Sequence, residues 1–266
     1  MLRRPRSGMG AKGSTRVVAL LFLLHGCAQY EQREVVHHPG SYPVIKLGKQ
    51  QIDGPIFRIT QIRDKIFYSY PRILGPTFFS AYLLEHTQIR EGETVLDIGT
   101  GSGVQAIYAA KKAQFVLATD IDQLALKNTL LNARRHNVAH KIEVRKSDLF
   151  DALKADEKFD VIIASIPYAW NEKTQKWWAL QERFFNDVGK HLKPEGRIYF
   201  LTGLLQNLPR TKEFIERNQL RIVRLDMAYA NEHDLEPMVY MIQHRSAVEK
   251  KLEEKSGHES TQRKDI

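Results

Sequence analysis

The stretch "VLDIGTGSGVQAIYAA", Val95 to Ala110, decides the fold. An apolar run, Val95 to Ile98, meets Gly99-Thr100-Gly101-Ser102-Gly103, and a helical pattern starts directly behind it. Alternate glycines permit a sharp turn and let the backbone approach a ligand closely. Amides at the start of the following helix add donors and the positive end of a dipole. A nucleotide-like ligand belongs at such a turn. The dinucleotide fingerprint needs glycine at its first, third and sixth places, and here the sixth is Val104. Asp97, two residues before the turn, would repel a pyrophosphate and suits a ligand with ammonium and sulfonium charges. No Gly-Lys-Ser/Thr follows, which excludes a phosphate-binding P-loop.

On either side the signals alternate. "FFSAYLLEH" (Phe78 to His86) is helical, with Thr77 placed to cap it. After the glycine turn come "QFVLATD", the helical "QLALKNTLLNARRHN", then "KIEVRKSD" and "FDVIIAS". A long helix, "WWALQERFFNDVGKHL", is expected to stop at Lys193-Pro194-Glu195-Gly196. "RIYFLTG", the helical "RTKEFIERNQ", "LRIVRLDMAYA" and "PMVYMIQHR" complete the series. Short apolar runs alternating with helices imply an α/β fold with a mostly parallel sheet and helices on both faces. The two consecutive strands at the end add one antiparallel member, for seven strands in all.

With these landmarks in place the chain resembles the class I S-adenosylmethionine-dependent methyltransferases, in particular their small-domain type, over roughly Phe78 to Gln243. The resemblance implies a Rossmann-like methyltransferase fold and S-adenosyl-L-methionine as cofactor. Asp97 matches the acid that helps hold the methionine end of the cofactor, and Gly99, Thr100, Gly101 and Gly103 match the turn. Asp120, in "LATDID", matches the acid that binds both ribose hydroxyls, which places Ile121 near the adenine. A carboxylate suits that role because it accepts from two neighbouring hydroxyls at once. Asp148, in "KSDLF", matches the acid that accepts from the adenine amino group, with Leu149 and Phe150 as apolar neighbours of the base. Each acid alone has an ordinary reading as a helix cap, and Gly103 alone as a packing glycine.

The fourth strand, "VIIASIPYAW", ends in Ser165-Ile166-Pro167-Tyr168. This is similar to the Asn/Asp-Pro-Pro-Tyr/Phe of methyltransferases acting on planar nitrogens, and to the Asn-Ile/Leu-Pro-Tyr of ribosomal RNA adenine dimethylases. The resemblance makes Ser165, Pro167 and Tyr168 the catalytic tip, with Tyr168 and Trp170 against the substrate. Ser stands where Asn is usual. A hydroxyl is shorter than a carboxamide and must itself find an acceptor, so the methyl acceptor stays open: an amide or amine nitrogen, or another atom. Plain strand-end packing is the alternative for Ser165 and Tyr168. Tyr70, Arg72 and Thr77 are further candidates to line the pocket.

The chain has 266 residues, 42% of them hydrophobic, which is enough for one domain with a sizeable core. The net charge is +9, but Arg3, Arg4, Arg6, Lys12 and Arg16 lie in the first 30 residues without an acid. The remainder is only mildly basic, which favours a small-molecule or protein substrate over RNA. Residues 1–27 form a signal-like segment: a basic start, the apolar "VVALLFLL" (17–24), then "LHGC". This resembles a bacterial lipoprotein signal and implies lipidation at Cys27 and a membrane-anchored protein. The alternative is a fortuitous apolar run ahead of a cytoplasmic enzyme with a misassigned start. Cys27 is the single cysteine, so no internal disulfide forms. Residues 28–55 are expected to be a linker or irregular lead-in, 56–244 the methyltransferase domain and 245–266 a charged flexible tail. No metal-ligand spacing is present; His37-His38 stands alone. A cofactor-binding module of this fold without catalysis, tethered or not, is the competing function.

Overall fold

The computed structural model describes residues 36–37, 44–168, 172–203, 207–228 and 237–251. In chain order its elements are β1 (Val36–His37), β2 (Val44–Gln51), β3 (Ile56–Ile62), β4 (Lys65–Ser69), α1 (Phe78–His86), β5 (Thr94–Ile98), α2 (Val104–Ala109), β6 (Phe115–Asp120), α3 (Gln123–Arg135), β7 (Ile142–Lys146), β8 (Phe159–Ala164), α4 (Trp177–Val188), β9 (Leu192–Gly203), α5 (Leu208–Arg217), β10 (Leu220–Ala228) and β11 (Pro237–His244). The main sheet has the order β1-β10-β11-β9-β8-β5-β6-β7 among the described residues. Strand β11 is antiparallel to both neighbours and every other pairing is parallel. The seven expected strands are present, and the two-residue β1 adds an eighth along β10.

The near-continuous apolar character of "TVLDI" and "FDVIIA" follows from burial of a parallel strand on both faces. Alternate residues divide between two cores. Val95, Val161, Ile163, Tyr199 and Leu201 face α1, α2 and the end of α3 through Tyr82, Leu83, Ile107 and Ala133. Leu96, Ile162, Ile198 and Phe200 face α4 and α5 through Trp178, Phe184, Phe185 and Phe214. The chain moves outward from β5 to β6 and β7, then returns to the other side of β5 with β8. This reversal makes the carboxyl ends of β5 and β8 the topological switch point, the usual ligand position of an open α/β sheet.

Several expectations are corrected. Residues 44–51 are a strand rather than an irregular lead-in: β2, β3 and β4 form a separate antiparallel sheet. Strand β2 is mostly exposed, so it carries no buried-polar alternation to betray it. The long helix ends at Val188, followed by a single 3-10 turn, and Lys193 to Gly196 lie inside β9. Pro194 is tolerated there because the β8–β9 register is irregular between Phe159 and Val161, where no regular ladder bond is lost. The charged tail is helical through Lys251, with Ala247 and Val248 buried. Among the described residues, no helix is long and apolar enough to cross a membrane.

Candidate active site

The glycine turn leaves β5 with Gly99, Gly101 and Gly103 at φ of 72°, 54° and 84°. These left-handed values are what a β-carbon disfavours. The amides of Gly99 and Thr100 both donate to the Thr119 carbonyl, at 2.9 and 3.0 Å, which ties the turn to β6. The three glycines differ in what they face. A β-carbon on Gly103 would lie 3.0 Å from Thr129 Cγ2, so this glycine lets α3 pack close. One on Gly99 would lie 3.4 Å from the Ser165 carbonyl oxygen. Among the described residues, one on Gly101 would meet only the Gly99 carbonyl, at 3.9 Å. Gly101 therefore fronts the open side.

Asp97 lies beneath the turn, 1% exposed. Its Oδ2 accepts from the Thr100 hydroxyl at 2.8 Å and from the Ala106 amide at 3.1 Å. Burial raises its pKa to about 7, the nearby Asp120 charge adds to the rise, and the two hydrogen bonds oppose it. The Thr100 side chain is thus committed inward to Asp97, and only its backbone remains on the turn. The Ala106 amide, one of the donors expected at the helix start, is also spent on Asp97.

Asp120 ends β6 at partial exposure. Its Oδ2 accepts from the Gly101 amide at 3.0 Å and its Oδ1 from the Asp122 amide at 2.9 Å. Each oxygen has taken one backbone donor and keeps capacity for a second, which fits a vicinal diol such as a ribose. Burial pushes its pKa up, against these backbone bonds. Ile121 beside it is 62% exposed, an apolar surface next to the acid. After β7, Leu149 has φ of 51°, a costly value for a leucine. The Ser147 hydroxyl holds this turn, donating to the Leu149 carbonyl at 2.9 Å and accepting from the Ala152 amide at 3.1 Å. Asp148 is partly exposed and its Oδ2 accepts from Arg183 of α4 at 3.1 Å. Phe150, expected beside the base, instead stacks on His191 in the second core, with ring centroids 5.2 Å apart.

At the fourth tip Ser165 and Pro167 are exposed, while Ile166 turns into the second core at 5% exposure. Strands β5 and β8 are in register, Ile98 beside Ala164, so Ser165 follows at the level of the glycine turn. Tyr168 is half-buried, and burial pushes its pKa up to about 12. Its ring lies against Gly203 at the end of β9: a β-carbon there would be 2.6 Å from the Tyr168 Oη. The Phe79 ring of α1 is 6.5 Å away, centroid to centroid.

Asp97, Gly99, Gly101, Asp120, Asp148, Ser165 and Tyr168 therefore gather at one end of the main sheet. Trp170 and Cys27 lie outside the described residues. Tyr70 is placed elsewhere, its ring 4.7 Å from Phe57 beside the three-stranded sheet. Gly203, Phe79 and Arg183 were missed. Gly203 ends an apolar run, which is a signal for close approach; Phe79 and Arg183 lie within helical patterns that mark nothing at single-residue level.

A protein family described as ribosomal protein L11 methyltransferase (PrmA) matches residues 76–220. The ribosomal protein L11 methyltransferase of Caldicellulosiruptor bescii is 39% identical over 140 residues, 52% of this chain and 41% of that protein. That of Geobacillus kaustophilus is 36% identical over 122 residues, 44% of this chain and 34% of that protein. The chain thus spans well under half the length of these curated relatives. The crystal structure of ribosomal protein L11 methylase from Lactobacillus delbrueckii subsp. bulgaricus has a TM-score of 0.52 at 25% identity, over 65% of this chain and 81% of that one. The T. thermophilus 16S rRNA N2 G1207 methyltransferase (RsmC), solved with AdoMet and guanosine, has a TM-score of 0.54 at 18% identity, over 77% and 51% of the two chains. At that identity the likeness is one of fold.

Proposed function

The chain belongs to the ribosomal protein L11 methyltransferase (PrmA) family, and from that membership we propose that it moves a methyl group from S-adenosylmethionine to a nitrogen of a protein, with ribosomal protein L11 the first acceptor to test. The observation that carries this reading is the meeting of the strand tips. The glycine turn, Asp120 and the Asp148–Leu149 turn lie side by side, and Ser165 abuts Gly99.

When bound, S-adenosylmethionine supplies a methyl group already activated by its sulfonium. Asp120 accepts from the ribose hydroxyls with its remaining lone pairs, and Gly101 lets the backbone come close. Ile121 and Leu149 offer apolar surface to the adenine, and Asp148 accepts from its amino group. Asp97 holds the turn in shape through Thr100 and Ala106. Ser165 accepts from the acceptor nitrogen, and the rings of Tyr168 and Phe79 wall the site. Aligning nucleophile, carbon and leaving group supplies most of the rate enhancement such a transfer needs. Aromatic faces also favour a group carrying positive charge.

Titration calorimetry on the full chain is expected to show S-adenosylmethionine binding. Asp120→Ala is expected to weaken it by more than about 100-fold, since two hydrogen bonds to a charged group contribute roughly 1.5–3 kcal/mol each and every 1.4 kcal/mol is about tenfold. Transfer of labelled methyl from the cofactor to purified ribosomal protein L11 tests the acceptor. No cofactor binding by the wild-type chain overturns the reading. Binding without transfer to any ribosomal protein favours the second reading, a cofactor-binding module without catalysis. That reading draws on Ser165 in place of a carboxamide and on Ile166 being turned into the core.

We propose a lipid anchor at Cys27, from the apolar run and the "LHGC" ending, as a reading that competes with the methyl-transfer one, because export would separate the chain from S-adenosylmethionine; a misassigned start is the third way to reconcile them. Palmitate labelling that disappears in Cys27→Ser supports the anchor, and equal labelling of the two proteins rejects it.

A further inference from the structure

Asn128 and Asn132 lie one turn apart on α3, and neither side chain has any exposure. Buried asparagine in a helix interior is unfavourable unless its amide is fully used. Here both amides complete the edge of β4. Asn132 Oδ1 accepts from the Tyr68 amide at 2.9 Å and its Nδ2 donates to the Tyr68 carbonyl at 2.8 Å. The carboxamide thus pairs with the strand as a neighbouring strand would. Asn128 Nδ2 donates to the same carbonyl at 2.8 Å, and its Oδ1 accepts from the Tyr70 amide at 2.8 Å.

Only Asn132 reaches further. Its Nδ2 also donates to the Ser102 carbonyl at 2.9 Å, between Gly101 and Gly103 in the glycine turn. One buried amide therefore joins the three-stranded sheet to the turn. Thr129, on the same stretch of helix, packs against Gly103 and donates to the Gly101 carbonyl at 3.3 Å. The turn is thus held from two sides: β6 takes the Gly99, Thr100 and Gly101 amides through Thr119 and Asp120, and α3 takes the Gly101 and Ser102 carbonyls through Thr129 and Asn132. Strand β4 lies before residue 76, outside the span that matches the family.

We propose that Asn132 is a positioning residue for the glycine turn, through which the β2–β4 sheet is a working part of the cofactor site. The proposal rests on the S-adenosylmethionine reading above. Asn132→Ala and Asn128→Ala both loosen β4, but only the first removes a bond to the turn. Two measurements separate them from a merely structural effect. Both variants are expected to lose thermal stability. Asn132→Ala is expected to weaken S-adenosylmethionine binding about tenfold, the equivalent of one net hydrogen bond, and Asn128→Ala by less than about twofold. Without cofactor, hydrogen exchange at the Gly101 and Gly103 amides is expected to quicken about tenfold in Asn132→Ala alone. Asn132→Ser, uncharged and too short to span Tyr68 and Ser102 together, replaces the alanine variant if that one does not fold. Equal effects in the two variants, or exchange at the turn unchanged in Asn132→Ala, overturn the proposal. Selective exchange with no cofactor binding by the wild type leaves the positioning role standing and removes the functional reading instead.

Discussion

Asp97 shows how one side chain couples burial, turn geometry and pH. Its pKa rises from 3.8 to about 7 because burial disfavours the charge more than Thr100 and Ala106 stabilise it. Between these values the folded chain holds a proton that the unfolded chain has released. The folded state binds more protons there, so stability falls as pH climbs through this window and levels above it. Unfolding free energies from urea titrations between about pH 5 and about pH 7 are expected to decline in the wild type by up to about 1.4 kcal/mol per pH unit from this group. Asp97→Asn is expected to flatten that slope, and a slope the same in both proteins would refute the assignment. The residue type and its place before the glycines were legible in the sequence. Its commitment to Thr100 and Ala106 was not, because direction depends on how the turn closes over it.

At the scale of elements, the acceptor side of the site is an agreement between three pieces of chain. The tip after β8 supplies Tyr168, the start of α1 supplies Phe79, and the end of β9 supplies the space. Gly203→Ala places a β-carbon 2.6 Å from the Tyr168 Oη, well inside van der Waals contact, so the ring must leave. Overpacking of this kind costs about 1–3 kcal/mol. The expected result is a raised KM for the proposed protein acceptor with S-adenosylmethionine affinity unchanged, read from transfer kinetics and calorimetry side by side. A loss of cofactor affinity equal to the loss of acceptor affinity would contradict that division of labour. Element types followed from local signals: the Thr77 cap ahead of the apolar run of α1, and the short near-continuous apolar runs bounded by turn residues in β5 and β8. Strand β2 escaped detection because nearly all of it is exposed, and only the start of β9, before Arg197, was misread, because it lies at an irregular pairing.

At the scale of the whole molecule, a mostly parallel sheet with one reversed strand was implied by the alternation of runs and helices and by the two consecutive strands at the end. The outcome matches it: a parallel set centred on β5 and β8, with β11 reversed. The amino-acid sequence by itself determined the glycine turn, the acids at 97, 120 and 148, and the sheet end they share, since each depends on a local backbone requirement or on periodic burial. Only the tertiary structure decided which groups those residues meet. Arg183 reaches Asp148 from 35 residues away, Asn132 ties Tyr68 to Ser102, and Gly203 makes room for Tyr168. These contacts join positions far apart in the chain, and no local propensity or period distinguishes a buried amide or a missing β-carbon until the partner surface has arrived.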